Sequence, residues 1–75
     1  MMKLEVRLFA YLRDGREKKV YLDITEETTV QDVMNILNID VADVSIVLIN
    51  GQNSGLSACF KEGDYISFFP PVGGG

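Results

Sequence analysis

The chain has 75 residues, enough for one small domain, and 47% of them are apolar, which argues against disorder. Eleven carboxylates against seven basic side chains give a net charge of −4, which disfavours nucleic acid as a partner because that binding relies on neutralising phosphates. There is no histidine and one cysteine, Cys59, so the usual zinc sets, Ser-His and Cys-His pairs and an internal disulfide are all excluded.

Leu4, Val6 and Leu8 alternate with Glu5 and Arg7, which predicts a half-buried strand. The polar stretch from Tyr11 to Lys18 carries Asp14-Gly15, a turn signal. Val20, Leu22 and Ile24 alternate with Lys19, Tyr21 and Asp23, so a second strand follows and the two form a hairpin. Thr28 or Thr29 is suited to cap a helix, with Asp32 near its positive end. Val30, Val33, Met34 and Leu37 then fall on one helical stripe, which reads as core. The helix ends near Asn38. Val44 to Ile49 is rich in β-branched residues and predicts a third strand, followed by the tight-turn pair Asn50-Gly51. Gln52 to Leu56 predicts a short fourth strand. After the turn Glu62-Gly63-Asp64, the last strand runs from Tyr65 to Phe69, and Pro70-Pro71 ends it.

The economical packing is an α+β fold, a small mixed sheet with one main helix on one face. Residues 1–69 form the domain and 70–75 a C-terminal tail. The uncovered sheet face is expected to carry Phe9, Tyr21, Val47, Ile49 and Phe69. A contiguous apolar patch there would be a partner surface. Cys59 reads as a small buried hydrophobe, with a persulfide relay as the sharper alternative. Glu26, Glu27, Asp40 and Asp43 read as solvated charge, and Arg7, Arg13 and Lys61 as possible contacts for an acidic partner.

The sequence ends Pro70-Pro71-Val72-Gly73-Gly74-Gly75. Prolines favour an extended segment, and six residues at roughly 3 Å each reach about 20 Å. Glycines lack a Cβ and thread narrow channels. A terminal glycine carboxylate is an unhindered acyl group once a partner adenylates it. No Lys-Ser/Thr pair follows the glycines, so they are not a phosphate loop.

Leu8-Phe9-Ala10-Tyr11-Leu12-Arg13, Leu48-Ile49-Asn50-Gly51 and the run from Lys61 to Gly75 resemble the ubiquitin-like sulfur carriers, the MoaD/ThiS family. The specific part is Gly63 to Gly75, which is similar to the ending of the small subunit of molybdopterin synthase. The resemblance implies a β-grasp fold and a thiocarboxylate on Gly75, with Gly74 as the second tail glycine. It implies as partners an E1-like adenylyltransferase of the MoeB/ThiF type, which uses ATP, and the large synthase subunit of the MoaE type. Pro70, Pro71, Val72 and Gly73 would then contact the partner alongside the open face. Gly73 and the short Leu37 to Val44 connection are closer to the carrier for thiamine thiazole synthesis. A third fate of the same activated glycine is an isopeptide bond to a lysine, as in ubiquitin-type modifiers. The chain is expected to have no turnover alone and to bind no cofactor or metal. No secretory-type apolar stretch stands near the N-terminus, and no apolar run nears the ~18 residues of a membrane span. The expected location is cytoplasmic.

Overall fold

A computed structural model describes residues 1–13, 15 and 17–71. Within these residues, five strands form one sheet: β1 (Met2–Leu8), β2 (Lys19–Ile24), β3 (Ile46–Ile49), β4 (Gln52–Asn53) and β5 (Tyr65–Phe69). Their spatial order is β2-β1-β5-β3-β4. β1 runs parallel to β5 and antiparallel to β2, while β3 is antiparallel to both β4 and β5. One helix, α1 (Val30–Ile36), lies in the connection from β2 to β3. Two short 3-10 helices occupy Ala10–Arg13 and Val41–Asp43. This is the β-grasp arrangement of a mixed sheet with one helix on one face.

The core follows from the two periodicities. Leu4, Val6 and Leu8 from β1, Ile66 and Phe68 from β5, and Val30, Val33 and Met34 from α1 are each at most 2% exposed. Leu37, the fourth member of the helical stripe, is half-buried against them. Phe60, Ile39, Leu12, Ile24 and Val47 complete the cluster. Leu12 anchors the first 3-10 helix from inside, so its neighbour Tyr11 is left exposed.

Thr29 is the N-cap of α1. Its hydroxyl accepts from the Asp32 amide at 3.1 Å, and the Asp32 carboxylate accepts from the Thr29 amide at 3.0 Å. The next two amides, Val30 and Gln31, donate to the carbonyls of Ala58 and Leu56. The end groups that a helix leaves unpaired are thus bonded to the loop before β5. Asn38, at φ 58°, reverses the chain after the helix, and the Ile39 amide donates back to Met34. Thr29→Ala is expected to cost about 1 kcal/mol. A urea melt should show a lower midpoint with an unchanged slope, and an unmoved midpoint would remove the cap from the stability of the helix.

Several expectations are corrected here. The first is the face of β3. Val47 is 8% exposed and Ile49 is packed against the core. They pair with Phe68 and Ile66, which are core residues, so both point toward the helix and away from the open face. Val44 is half-buried, and Ser45 and Ile46 are both exposed, so the alternation breaks at Ser45 before β3 begins. The strand accordingly starts at Ile46, later than the expected Val44. The second correction is Cys59, which is exposed rather than buried. It sits opposite Thr29 in an isolated antiparallel bridge. The fourth strand is shorter than the expected Gln52 to Leu56, spanning only Gln52–Asn53.

Candidate interaction site

The sheet face away from α1 divides into two halves. On the β2-β1 side it is charged. Lys3 pairs with Asp23 at 2.9 Å, and Arg7 donates to Glu5 while lying 3.9 Å over the Tyr65 ring. The hydrogen bond that Arg7 donates to Glu5 raises the Arg7 pKa above its ordinary value, so Arg7 stays cationic. Tyr21 stands at the β2 edge of this half, 57% exposed.

The other half is apolar and lies at the end of β5. Phe9 stacks on Phe69 with ring centroids 4.3 Å apart and planes at 13°. The contact follows from topology. β1 and β5 are parallel neighbours, and the Phe9 amide donates to the Phe68 carbonyl at 3.3 Å. Ile46 pairs with Phe69 from the other side, and the Ser45 amide donates to the Phe69 carbonyl at 2.8 Å. Phe69 is therefore flanked by apolar side chains from two neighbouring segments.

Phe9, Ala10, Tyr11, Ile46, Phe69, Pro70 and Pro71 together line a groove of about 400 Å³. Ala10 turns the chain at φ 54°, an uncommon conformation for a residue with a side chain. That turn starts the 3-10 helix and brings Tyr11 to the groove wall. Phe9, Tyr11 and Ile46 are 37%, 48% and 45% exposed. Large apolar side chains clustered at this exposure mark a binding surface more often than a stability element.

The β3–β5 pair is pinned at its other end, away from the groove. Asn50, at φ 53°, and Gly51, at φ 83°, form the tight turn between β3 and β4. The Asn50 amide nitrogen donates to Asp64 at 2.7 Å, and its oxygen accepts from the Tyr65 amide at 3.0 Å. Asp64 also accepts from the Lys61 amide at 2.7 Å. One side chain thereby ties the β3 turn to the start of β5 and supports the register that sets Ile46 beside Phe69.

Of the residues expected at a partner surface, the groove brings together Phe9, Phe69, Pro70 and Pro71. Tyr21 shares the open face but lies at its far edge. Val47 and Ile49 are on the opposite face. Val72, Gly73, Gly74 and Gly75 lie outside the described residues, as does Asp14 of the expected turn. Ala10, Tyr11 and Ile46 were missed by sequence reasoning. For Ile46 the usable signal was its place beside Phe69 in an antiparallel pair, which a reading of single strands does not contain. A second cleft, lined by Asn50, Gln52, Cys59, Lys61 and Asp64 among others, is polar. Among the described residues no group of three or more metal-ligating side chains occurs, and no helix is long and apolar enough to cross a membrane.

The chain and its fold are similar to those of known proteins. The chain is similar to small archaeal modifier protein 3 of Haloferax volcanii, at 32% identity over 99% of this chain and 100% of that protein. The structure resembles that of the Haloferax volcanii HVO 2177 protein in solution, with a TM-score of 0.78 and 33% identity over 99% of this chain and 87% of the other. It also resembles a chain from the complex of subunits 1 and 2 of the molybdopterin-converting factor of Helicobacter pylori. There the TM-score is 0.67 and the identity 26%, over 99% of this chain and 100% of that one. The sequence pattern of the ThiS family matches residues 6–75, and the chain belongs to that family of ubiquitin-like sulfur carriers and modifiers.

Proposed function

We propose that this protein is a sulfur carrier, with residues 1–69 as the recognition body and 70–75 as the working segment. An E1-like enzyme would adenylate the Gly75 carboxylate with ATP, releasing pyrophosphate. A sulfur nucleophile then displaces AMP and leaves a thiocarboxylate. Gly74 and Gly73 keep the approach free of side chains. The recipient in this reading is the precursor of the molybdopterin dithiolene, held by a large synthase subunit.

The observation that carries the reading is the position of the groove. Pro70 and Pro71 are walls of it, so a protein seated on Phe9, Ile46 and Phe69 also holds the root of the tail. The four residues beyond Pro71 span at most about 14 Å when extended, a length suited to entering an active site whose rim rests on the groove. The family match runs through Gly75, which makes the glycines part of the shared pattern. The complex of two subunits in the Helicobacter pylori relative supports a large-subunit partner.

The similarity to small archaeal modifier protein 3 favours a second reading. There the activated glycine ends on a lysine as an isopeptide bond. Both readings share the groove and the adenylate and differ in the final acceptor. Intact-mass measurement of the chain from its native cell separates them. A free chain heavier by the difference between sulfur and oxygen is the expected result for the carrier. A ladder of conjugates carrying the chain on lysines, with no thiocarboxylate species, would overturn the carrier reading in favour of the modifier.

A further inference from the structure

Strand β2 is the edge of the sheet, beyond β1. It is six residues long, Lys19–Ile24, and contains no proline. Its hydrogen-bonding phase can be read from its neighbour. The Leu8 amide donates to the Lys18 carbonyl at 2.8 Å, and the β1–β2 register continues as Val6↔Val20, Leu4↔Leu22 and Met2↔Ile24. The even-numbered residues of β2 therefore point their backbone groups at β1. Lys19, Tyr21 and Asp23 point theirs outward. Among the described residues no backbone bond to those three outward amides or carbonyls occurs outside the sheet ladder. An unpaired edge of this kind is a template for another strand.

The side chains say which strand fits. Two sheets joined edge to edge with both helices on one side must pair odd residues with odd and even with even. With Tyr21 opposite Tyr21 of a second copy, Lys19 falls opposite Asp23 of that copy, and Asp23 opposite its Lys19. Opposite charges then meet twice on the open face. On the helix face, Val20 meets Leu22 of the second copy. Val20 and Leu22 are only half-buried although both pack on the core, so the sheet leaves an apolar ledge there. Sliding by two residues in one direction sets Tyr21 against Asp23 and Lys19 against Thr25. In the other direction Lys19 meets Tyr21. Neither pairs opposite charges within β2.

We propose that β2 is a self-complementary docking edge whose occupant is the β2 strand of a second copy, giving a two-fold dimer with a continuous sheet. In this register Lys19, Tyr21 and Asp23 of each chain exchange backbone hydrogen bonds, and the phase of β2 already directs those groups outward. Exposed ion pairs add little energy, so Lys19 and Asp23 select the register while the backbone bonds and the Val20–Leu22 contacts hold it. A six-residue edge is small beside the roughly 1,200–2,000 Å² of a stable interface. Association is therefore weak and depends on concentration. Ile46 and Phe69 lie on β3 and β5, which β1 separates from β2, so the dimer leaves the groove open to a different partner.

Sedimentation equilibrium of the full chain up to millimolar concentration tests this. The wild type should show a reversible monomer–dimer equilibrium. Lys19→Asp sets like charges opposite each other twice, and so does Asp23→Lys, so each variant alone should dimerise at least tenfold more weakly. An equimolar mixture of the two restores both opposite-charge pairs and should associate at near wild-type strength. Tyr21→Pro removes an outward amide that the β1 ladder does not use, and should abolish the dimer while circular dichroism shows the fold retained. The heteromeric rescue is independent of any small loss of stability in either variant. A wild type that stays monomeric to millimolar concentration would overturn the proposal. So would a mixture no stronger than its components, or a dimer that survives Tyr21→Pro but is lost with Phe69→Asp.

Discussion

If the proposed carrier function holds, removing Gly75, or adding one alanine after it, abolishes thiocarboxylate formation without changing the melting temperature. Adenylation needs a carboxylate oxygen in line with the α-phosphorus of ATP. A misplacement of about 1 Å can cost roughly a hundredfold in rate, and one residue moves the end by about 3.3 Å. Both changes should thus lower the rate by a hundredfold or more. The fold has no reason to respond. Among the described residues, the core cluster reaches no further along the chain than Phe68. The measurement is pyrophosphate exchange with the cognate E1-like enzyme beside a thermal melt. Adenylation of the shortened chain at near wild-type rate would show that the carboxylate of Gly75 is not the reacting group. A drop in melting temperature would show instead that the tail contributes to the fold.

The strands that sequence reading placed well are those with a single apolar face. In β1 charged residues mark every second position, and in β2 Lys19, Tyr21 and Asp23 do. In β5 Ser67 interrupts an apolar run, and the prolines mark the end. The helix was legible for the same reason, because Val30, Val33 and Met34 repeat at its period and Thr29 and Asp32 sit where a cap requires them. β3 was not legible. Ile46, Val47, Leu48 and Ile49 are all large and apolar, so a period of two leaves no trace in the sequence. Its orientation is fixed by pairing with β5, which is a fact about tertiary structure. The wrong face for Val47 and Ile49 and the failure to find Ile46 have this one cause. Half of the apolar groove was still found, because Phe9 and Phe69 each sit at the end of a strand whose alternation is plain. Cys59 failed differently. It was assigned by the average behaviour of its residue type, whereas its position is set by the bridge to Thr29 that brings the loop to the helix cap.

Phe68 and Phe69 are adjacent, point to opposite faces, and should fail in opposite ways. Phe68 is 0% exposed, between Leu8 and Val47 in the sheet and beneath the helix. Phe68→Ala is expected to cost about 3–5 kcal/mol. Small domains hold only about 5–15 kcal/mol in total, so this variant should melt far lower and be partly unfolded at ambient temperature. Phe69 is half-buried on the open face, where its ring touches Phe9 and borders the groove. The hydrogen bond that holds this end of β5 to Ser45 uses the Phe69 carbonyl and survives a change of side chain. Phe69→Asp puts a carboxylate into the apolar floor of the groove. An aromatic residue at the centre of a contact is commonly worth 2 kcal/mol or more. Affinity for the proposed activating enzyme should accordingly fall about thirtyfold or more, with the fold retained. Partner titrations by calorimetry, corrected for the folded fraction from circular-dichroism melts, separate the two effects. If Phe69→Asp loses stability as Phe68→Ala does, and its folded fraction binds normally, then Phe69 supports the sheet and the partner surface lies elsewhere. If it stays folded and loses binding, the groove is the surface on which the tail is presented.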